Sequence, residues 1–370
     1  MTQSSTPTRL REYINAMLPS EHGHQQKAIF DFVTALVAVQ SCCQAKLARF
    51  FGNQEAALKR LARLLRNDRL DVQELALSTA RAIVSQLPLA GPVRIAIDWT
   101  IEAEQHLLTA SLMVGRRAVP LFWRAYRESE LKARRSGYER EFVSALVREV
   151  LIDLSARRLI ITADRAFADV ELFDLLDNLG VSFVIRSKGS VKVRSEGGWR
   201  KLDTVRLRGN QRRRSLGRLF YCESDPRRQY VVQARARDRA GRWGIWHLVS
   251  NRPLSPFVMA REYARRFGCE EGFRDAKWML GFAQARIECL KAWARMFTLV
   301  AIALLVLVGV GCGLLADRQR LHQQLRRITS RRTARAELSL VRAVAELLKN
   351  EWSLWELLNH RAKLNLEASL

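Results

Sequence analysis

The 370-residue sequence has few acidic residues, few cysteines and histidines, and no internal repeat. Its six cysteines form no Cys-x-x-Cys pair and its six histidines are scattered, which argues against a zinc site. Residues 1–20 are polar and lack the apolar core of a secretory leader. We therefore expect a cytoplasmic protein whose cysteines are reduced.

The shortage of acidic residues leaves a large excess of positive charge. The chain has 62 Lys and Arg against 37 Asp and Glu, for a net charge of +25 and a pI near 10.8. Such a surface attracts polyanions and releases counterions from a phosphate backbone, so the composition favours nucleic-acid binding. The alternative is a protein that is merely basic.

One long apolar run stands out against this charge. Residues 296–316 contain 21 residues without a charged side chain. A helix of that length could cross a bilayer. It could equally be a helix buried on all sides within a large α/β domain. The run by itself leaves both interpretations open.

The first part of the chain, 1–90, is predicted to be helical, because its apolar residues recur at helical spacing. Basic residues accompany the second half of this region, and Pro88 and Gly91-Pro92 mark a boundary after it. We expect a helical DNA-binding domain. A helical packing domain with a solvated basic face is the alternative.

The middle of the chain, 91–316, is predicted to be an α/β domain. Three close strands, a helix, a strand, a short helix and a fifth strand follow one another, which is the order of an RNase H-like fold. The predicted elements are strands at 93–98, 106–115, 118–126, 159–164 and 181–186, and helices at 128–155 and 169–179.

Two basic segments are expected to depart from this core. Residues 187–246 are rich in Gly and Arg and interrupt the pattern, so we interpret them as a β-rich insertion facing DNA, with a solvated basic loop as the alternative. A strand at 246–251 and a helix at 257–279 follow. Residues 317–370 are predicted to be a basic helical C-terminal region, with seven arginines in 318–335.

Two aspartates are candidate metal ligands. Asp98 and Asp164 each close a predicted apolar strand, and these strands are neighbours in an RNase H-like sheet. Their carboxylates would therefore meet at one sheet edge, and carboxylate oxygens are the ligands that Mg²⁺ prefers. Taken alone, an aspartate after a strand is usually a turn former.

A third carboxylate lies on the helix predicted at 257–279. Tyr263, Arg266, Glu270 and Lys277 have the spacing Tyr-x2-Arg-x3-Glu-x6-Lys, which places them within about 60° of arc on a helix. Glu270 could then reach a metal while its basic neighbours reach phosphates. Glu271 is the rival carboxylate, but it lies about 100° away from this stripe.

This four-residue motif, preceded by the two aspartates, resembles the DDE-type transposases of bacterial insertion sequences, in the branch of insertion sequence family four. The resemblance implies that Asp98, Asp164 and Glu270 are catalytic and hold two Mg²⁺ ions, with Mn²⁺ as a substitute. It implies that Tyr263, Arg266 and Lys277 contact DNA phosphates.

The same resemblance extends to other parts of the chain. It implies that Trp246 stacks on a flipped base, for which Trp243 is the alternative. A long apolar helix follows the Glu helix in the family and packs on the sheet, so 296–316 is expected to be a core helix and not a membrane span. Family members act on DNA as homodimers in a synaptic complex, and we expect this protein at the nucleoid.

The expected function is therefore cleavage at the ends of a transposon and transfer of the 3′ ends to target DNA, by two-metal catalysis. The alternative is a catalytically inactive DNA-binding protein derived from a transposase. A membrane protein with a basic cytosolic domain is a third hypothesis.

Overall fold

The computed structural model describes residues 8–207, 209–237, 242–316 and 340–358, together with Leu364 and Leu366. The chain divides into two compact units, each built from separate segments. The first comprises Met1–Leu89, Thr100–Glu128 and Cys269–Leu370, and the second comprises Ala90–Trp99 and Ser129–Gly268. The predicted division into 1–90, 91–316 and 317–370 stays a prediction about domains.

Five helices open the first unit, as the apolar spacing predicts. They are α1 Thr8–Met17, α2 Gly23–Val39, α3 Gln44–Ala48, α4 Gln54–Arg66 and α5 Val72–Ser85. Polar side chains cap three of their N-termini: His22 caps α2, Asn53 accepts a hydrogen bond from the Ala56 amide, and Asp71 accepts from Gln73 and Glu74.

The core of this unit is the long helix α11, Leu290–Ala316. It contains the apolar run and packs against α2, α4, α5 and strand β3 (Arg117–Arg127). Its one buried guanidinium, Arg295, donates to the carbonyl oxygens of Leu65 and Leu70 at 2.9 Å each and so ties α11 to the end of α4.

Helix α11 is long and apolar enough to cross a membrane, with a mean hydropathy of 2.8 over its most apolar window. In the structure, however, most of its residues are buried by protein. This packing agrees with the prediction of a core helix. Helix α12, Leu340–Asn350, also packs against α11, whereas the arginines of 318–335 lie outside the described residues.

The sheet begins in the first unit with the order β3-β2-β1. Strand β1 is Val93–Glu102, of which the last three residues belong to this unit, and β2 is Gln105–Val114. Strands β2 and β3 pair antiparallel from Gln105↔Arg127 to Val114↔Arg117, with a bulge at Ala110/Ser111.

The second unit continues from β1 with the order β1-β4-β5-β10-β9-β8-β6-β7. Its strands are β4 Leu159–Ala163, β5 Ser182–Ser187, β6 Lys192–Ser195, β7 Gly198–Lys201, β8 Arg213–Tyr221, β9 Arg227–Arg237 and β10 Trp243–Ser250. Strands β1, β4 and β5 are parallel, whereas β5 and β10 are antiparallel. Together with the antiparallel β1, β2 and β3, this is an RNase H-like α/β core with a β-rich insertion, as predicted.

The helices of the second unit differ from the prediction in their continuity. The helix predicted at 128–155 is divided into α6 Glu128–Leu131, α7 Arg135–Ala145 and a π-helical turn at Leu146–Val150. Ala133, with φ of 60°, separates the first two, because a left-handed residue cannot continue an α-helix. Helix α8, Val170–Asn178, agrees with the helix predicted at 169–179, and the side chain of Asp169 caps its N-terminus.

The helix predicted at 257–279 is also interrupted. Helix α9, Pro256–Arg265, is followed by α10, Phe267–Arg274, and a π-helical turn at Asp275–Met279. The boundary between the two units falls between Gly268 and Cys269. Of the four positions that share one stripe on an ideal helix, Tyr263, Glu270 and Lys277 therefore lie in three different helical pieces, and Arg266 is the C-cap of α9.

Candidate active site

Asp98 and Asp164 lie side by side at the carboxyl ends of parallel neighbours. The parallel register of β1 and β4 runs from Val93↔Leu159 to Ile97↔Ala163, so the two aspartates occupy the next equivalent positions. Contrary to the prediction, β1 does not end at Asp98 but continues to Glu102, because its later residues enter the antiparallel hairpin. Both aspartates are half-buried.

Local hydrogen bonds orient each carboxylate. One oxygen of Asp98 accepts from the backbone amide of Trp99 at 3.0 Å. Asp164 caps the short 3₁₀ turn Arg165–Phe167 and accepts from the Ala166 amide at 2.8 Å. Asp164 therefore caps a turn, as an aspartate after a strand often does. It also lies at the end of β4, where the candidate metal ligand was predicted.

Arg266 forms an ion pair with Asp98. Its Nη1 lies 2.7 Å from Asp98 Oδ2, and the two side chains are only 7% and 16% exposed. The resemblance implies a phosphate contact for Arg266, but here the guanidinium is buried against a carboxylate. The strong attraction between a buried cation and the adjacent anion stabilises this ion pair, and the contact of Arg266 with a DNA phosphate stays a prediction.

Tyr263 lies beneath this pair in the hydrophobic core. Its side chain is 1% exposed and packs with Val184, Val232, Leu248 and Met259. Burial raises the pKa of its hydroxyl, and the nearby guanidiniums of Arg266 and Arg186 oppose that rise. A direct phosphate contact by Tyr263 is therefore not accessible in this arrangement.

Glu270 lies in α10, in the first unit, and is half-buried. The rival Glu271 is engaged elsewhere: it pairs with Arg274 at 2.7 Å and with Arg117 at 3.6 Å. The choice of Glu270 over Glu271 as the third carboxylate stays a prediction.

Lys277 lies in the π-helical turn and contacts the end of β1. Its ammonium donates to the Ile101 carbonyl and pairs with Glu102, both at 2.8 Å. As with Arg266, the structure shows contacts of this residue within the protein, and its contact with a DNA phosphate stays a prediction.

The two candidate stacking tryptophans differ in exposure. Trp246 is half-buried, with its ring 4.9 Å from that of Tyr263 and 5.6 Å from that of Phe267. Trp243 is 61% exposed, and the Arg237 guanidinium lies 4.7 Å from its ring centre. An exposed indole beside a cation suits base stacking better, so the geometry favours the alternative, Trp243, over Trp246.

A buried ion pair, and a hydrogen bond to a buried carboxylate, were not predicted. Arg94 and Glu262 form a bidentate pair at 2.5 and 3.1 Å. Glu139 accepts from the Trp99 indole at 2.7 Å, and burial raises the pKa of its carboxyl. No sequence signal could have found either pair, because the partners are far apart in the chain and match no motif.

The fit of a divalent cation rests on Asp98 and Asp164. Two adjacent carboxylates supply the hard oxygens that Mg²⁺ and Mn²⁺ prefer, and the guanidinium on Asp98 shows that a cation is stabilised there. Among the described residues, no group of three or more His, Cys, Asp or Glu side chains is arranged to hold a metal. The two carboxylates therefore fit a divalent cation by their chemistry. The positive charge that the structure shows beside Asp98 is the guanidinium of Arg266.

The N-terminal helices of the first unit carry a basic surface. Helix α4 buries its apolar side and exposes Lys59, Arg63 and Arg66. Between α2 and α4 lies an open cleft of about 600 Å³, to which Lys27 and Arg60 also contribute. The surface suits a phosphate backbone, although a solvated basic face has the same appearance.

Residues 131–306 match the family model of the transposase DDE domain. The matched segment is a little under half of the chain. It contains Asp164 and all four motif positions, from Tyr263 to Lys277, but it begins after Asp98. The chain therefore carries a region similar to a transposase DDE domain.

Other comparisons add little to this match. No curated protein matches the chain significantly. A solved structure, the cryo-EM structure of the piggyBac transposase synaptic complex with hairpin DNA, is similar over 95% of this chain and 78% of that chain. With 10% sequence identity and a TM-score of 0.42, this likeness is too distant to support an argument.

Proposed function

We propose that this protein is a DDE-type transposase of the insertion sequence family four branch, which cleaves phosphodiester bonds at transposon ends and transfers the 3′ ends to target DNA. The observation that carries the proposal is the placement of Asp98 and Asp164 at equivalent positions on neighbouring parallel strands. The match to the transposase DDE domain, which spans Asp164 and Glu270, supports it.

In this proposal Asp98, Asp164 and Glu270 together hold two Mg²⁺ ions, or Mn²⁺ in their place. When bound, such ions activate water and neutralise the charge that develops on the transferred phosphate. The backbone amides of Trp99 and Ala166 fix the orientation of the two aspartates. No covalent enzyme intermediate is needed, so Tyr263 is not a nucleophile.

The basic motif residues and the tryptophans would bind DNA around the cut. Lys277 and Arg266 can reach a phosphate only by exchanging their present carboxylate partners, Glu102 and Asp98. Tyr263 then serves as a packing support and not as a direct contact. Trp243 offers the exposed ring for base stacking, whereas Trp246 packs against Tyr263 and Phe267.

The partners of the enzyme would be the terminal inverted repeats of its own element, target DNA and a second copy of this chain in a synaptic complex. The net charge of +25 and the basic surface of α4 support DNA binding. The enzyme would then act in the cytoplasm, at the nucleoid.

The second candidate function is DNA binding without catalysis, by a protein derived from a transposase. One observation favours it: Asp98, a candidate metal ligand, forms a buried ion pair with Arg266. A pure binder does not need its carboxylates, so substitution at the aspartates separates the two functions.

The test is cleavage of a duplex that carries the terminal repeat, with Mg²⁺ or Mn²⁺ present. We expect the wild-type protein to cut at the repeat boundary, and Asp98→Asn and Asp164→Asn to bind the duplex without cutting it. Asp153→Asn, at an exposed position, is the matched control and should cut normally. Undiminished cutting by both aspartate variants would refute the proposed active site.

A further inference from the structure

The pair between Arg266 and Asp98 joins a motif residue to a candidate metal ligand. The 2.7 Å contact uses Oδ2 of Asp98, while Oδ1 accepts from the Trp99 amide. Both oxygens of this carboxylate are therefore engaged by groups of the protein. A metal ion that binds Asp98 must share or displace one of these contacts.

The position of the guanidinium is fixed by more than this carboxylate. The Arg266 side chain is 7% exposed, and its guanidinium carbon lies 5.7 Å from the Tyr263 ring centre and 5.5 Å from that of Phe267. Aromatic rings at this distance attract a cation. Arg266 would therefore stay close to Asp98 even if a second cation arrived there.

A second guanidinium reinforces the arrangement. Arg186, on β5, and Arg266 both lie near the buried Tyr263 hydroxyl. The positive charge of Arg186 therefore disfavours a retreat of Arg266 towards the core. The route that remains favourable is towards an anion outside the protein, such as a phosphate.

We propose that Arg266 is a built-in competitor for the cation at Asp98, which keeps the metal affinity of the DNA-free protein low. A phosphate of bound DNA draws the guanidinium off Asp98 and opens the carboxylate to the metal. Arg266 is thus a positioning residue that makes metal binding depend on DNA. This inference rests on the proposed function, because it assigns a metal to Asp98.

Linkage gives the expected size of the effect. The Arg266 guanidinium and a metal ion compete for the Asp98 carboxylate. Removal of the guanidinium should raise the affinity for the metal by the coupling factor, which is commonly about 5-fold to 150-fold. Arg266→Gln keeps a polar side chain and removes the positive charge. It should therefore bind Mn²⁺ at least about fivefold more tightly than the wild type without DNA.

The experiment measures Mn²⁺ binding to the purified, DNA-free protein by the electron paramagnetic resonance signal of the free ion. Arg266→Lys keeps the charge and should bind Mn²⁺ about as weakly as the wild type. Arg261→Gln removes an exposed arginine of α9, the helix that ends just before Arg266, and is the matched control, with no change expected. Asp98→Asn in the Arg266→Gln background should lose the gained affinity.

Thermal unfolding provides a second readout that does not depend on activity. Without metal, Arg266→Gln should lower Tm, because it leaves the Asp98 carboxylate without its buried counter-ion. Millimolar Mn²⁺ should then raise the Tm of Arg266→Gln more than that of the wild type, since ligands stabilise the folded state that they bind. A stabilisation of equal size in both proteins contradicts the proposal.

Two outcomes overturn the inference directly. One is Mn²⁺ binding by Arg266→Gln that is no tighter than that of the wild type, including the case in which neither binds. The other is weaker binding by the variant, which would mean that Arg266 orients Asp98 for the metal. If the wild type still cuts DNA in either case, the inference fails alone. If Asp98→Asn also cuts DNA normally, the proposed active site fails.

Discussion

At the scale of single residues, buried charge pairs fix the surroundings of the candidate active site. Arg94 lies on β1, four residues before Asp98, and its bidentate partner Glu262 lies on α9. The side chains are 11% and 3% exposed, so both charges are largely removed from water. The pair holds the helix that carries Tyr263 against the strand that carries Asp98.

Breaking this pair should cost stability. Glu262→Gln leaves the buried Arg94 without its counter-ion, and we expect a loss of about 3–5 kcal/mol in the free energy of unfolding. Denaturant unfolding measures it. Glu55→Gln removes the exposed partner of Lys59 and should change stability by less than about 1 kcal/mol. Equal effects of the two substitutions would contradict the importance of burial.

A second residue, Asp275, gives stability a dependence on pH. Burial raises the pKa of its carboxyl to about 6, and Glu271 adds to the rise while Arg117 and Arg274 oppose it. The folded protein therefore binds a proton more tightly here than the unfolded chain, whose usual value is 3.8. Stability from this group is present below pH 3.8 and is lost as the pH rises through about 6.

Asp275→Asn should remove this contribution. We expect the variant to lose less stability than the wild type between about pH 4 and pH 6, because its amide does not titrate. Unfolding midpoints measured across that range test the expectation. An unchanged pH profile would show that the ion pair with Arg117 outweighs burial.

These residue contacts mark what the sequence could not predict. Asp98 and Asp164 were predictable, because each closes an apolar run and strand order brings such ends together. The partner of Asp98 was not predictable, because Arg266 lies 168 residues away. Motif spacing indicates which residues would share one face of an ideal helix. It does not distinguish a residue that contacts phosphate from one that forms a buried ion pair.

At the scale of elements, the segment with the four-residue motif also has features that its sequence did not predict. Hydrophobic periodicity predicted one helix at 257–279, but the structure has α9, α10 and a π-helical turn. A π turn inserts one extra residue, which rotates everything after it relative to an ideal helix. Lys277 consequently reaches the end of β1, a position that spacing alone does not give.

Close packing of α10 on β3 explains Gly272. A Cβ atom at this position would lie 2.9 Å from the Ala118 carbonyl oxygen, which is backbone and cannot move aside cheaply. Gly272→Ala should therefore lower the free energy of unfolding by roughly 1–3 kcal/mol.

Gly137→Ala is the matched control in helix α7. No atom lies within 4 Å of a Cβ at that position. Because alanine favours helix over glycine, the control should gain up to about 1 kcal/mol. Thermal unfolding compares the two variants, and a loss at Gly137 equal to that at Gly272 would rule out the steric explanation.

At the scale of the whole molecule, the excess of positive charge favours a nucleic-acid partner, whereas the apolar helix α11 is long enough to cross a membrane. Length and composition left a membrane span open for α11. The packing of α11 against α2, α4, α5 and β3 could not be predicted from its own sequence, because it depends on segments far away in the chain. A core helix was favoured only by the resemblance to a transposase family, in which a long apolar helix follows the helix with the third carboxylate.

Fractionation tests this assignment. The apolar side chains of α11 are covered by protein, so the expressed protein should leave a membrane pellet on washing with high salt and alkaline carbonate. Salt is needed in the wash because a net charge of +25 binds anionic surfaces non-specifically. Retention of the full-length protein in the washed pellet would show that α11 inserts into the bilayer.

The most direct test of the proposed active site is DNA cleavage by Glu270→Gln beside the wild type, with binding to the same terminal-repeat duplex measured in parallel. With Mg²⁺ or Mn²⁺, the wild type should cut at the repeat boundary. Glu270→Gln should bind as tightly without cutting, and Glu271→Gln should still cut. If Glu270→Gln cuts like the wild type, or if no protein cuts under either metal, Glu270 is not the third carboxylate of a working DDE site.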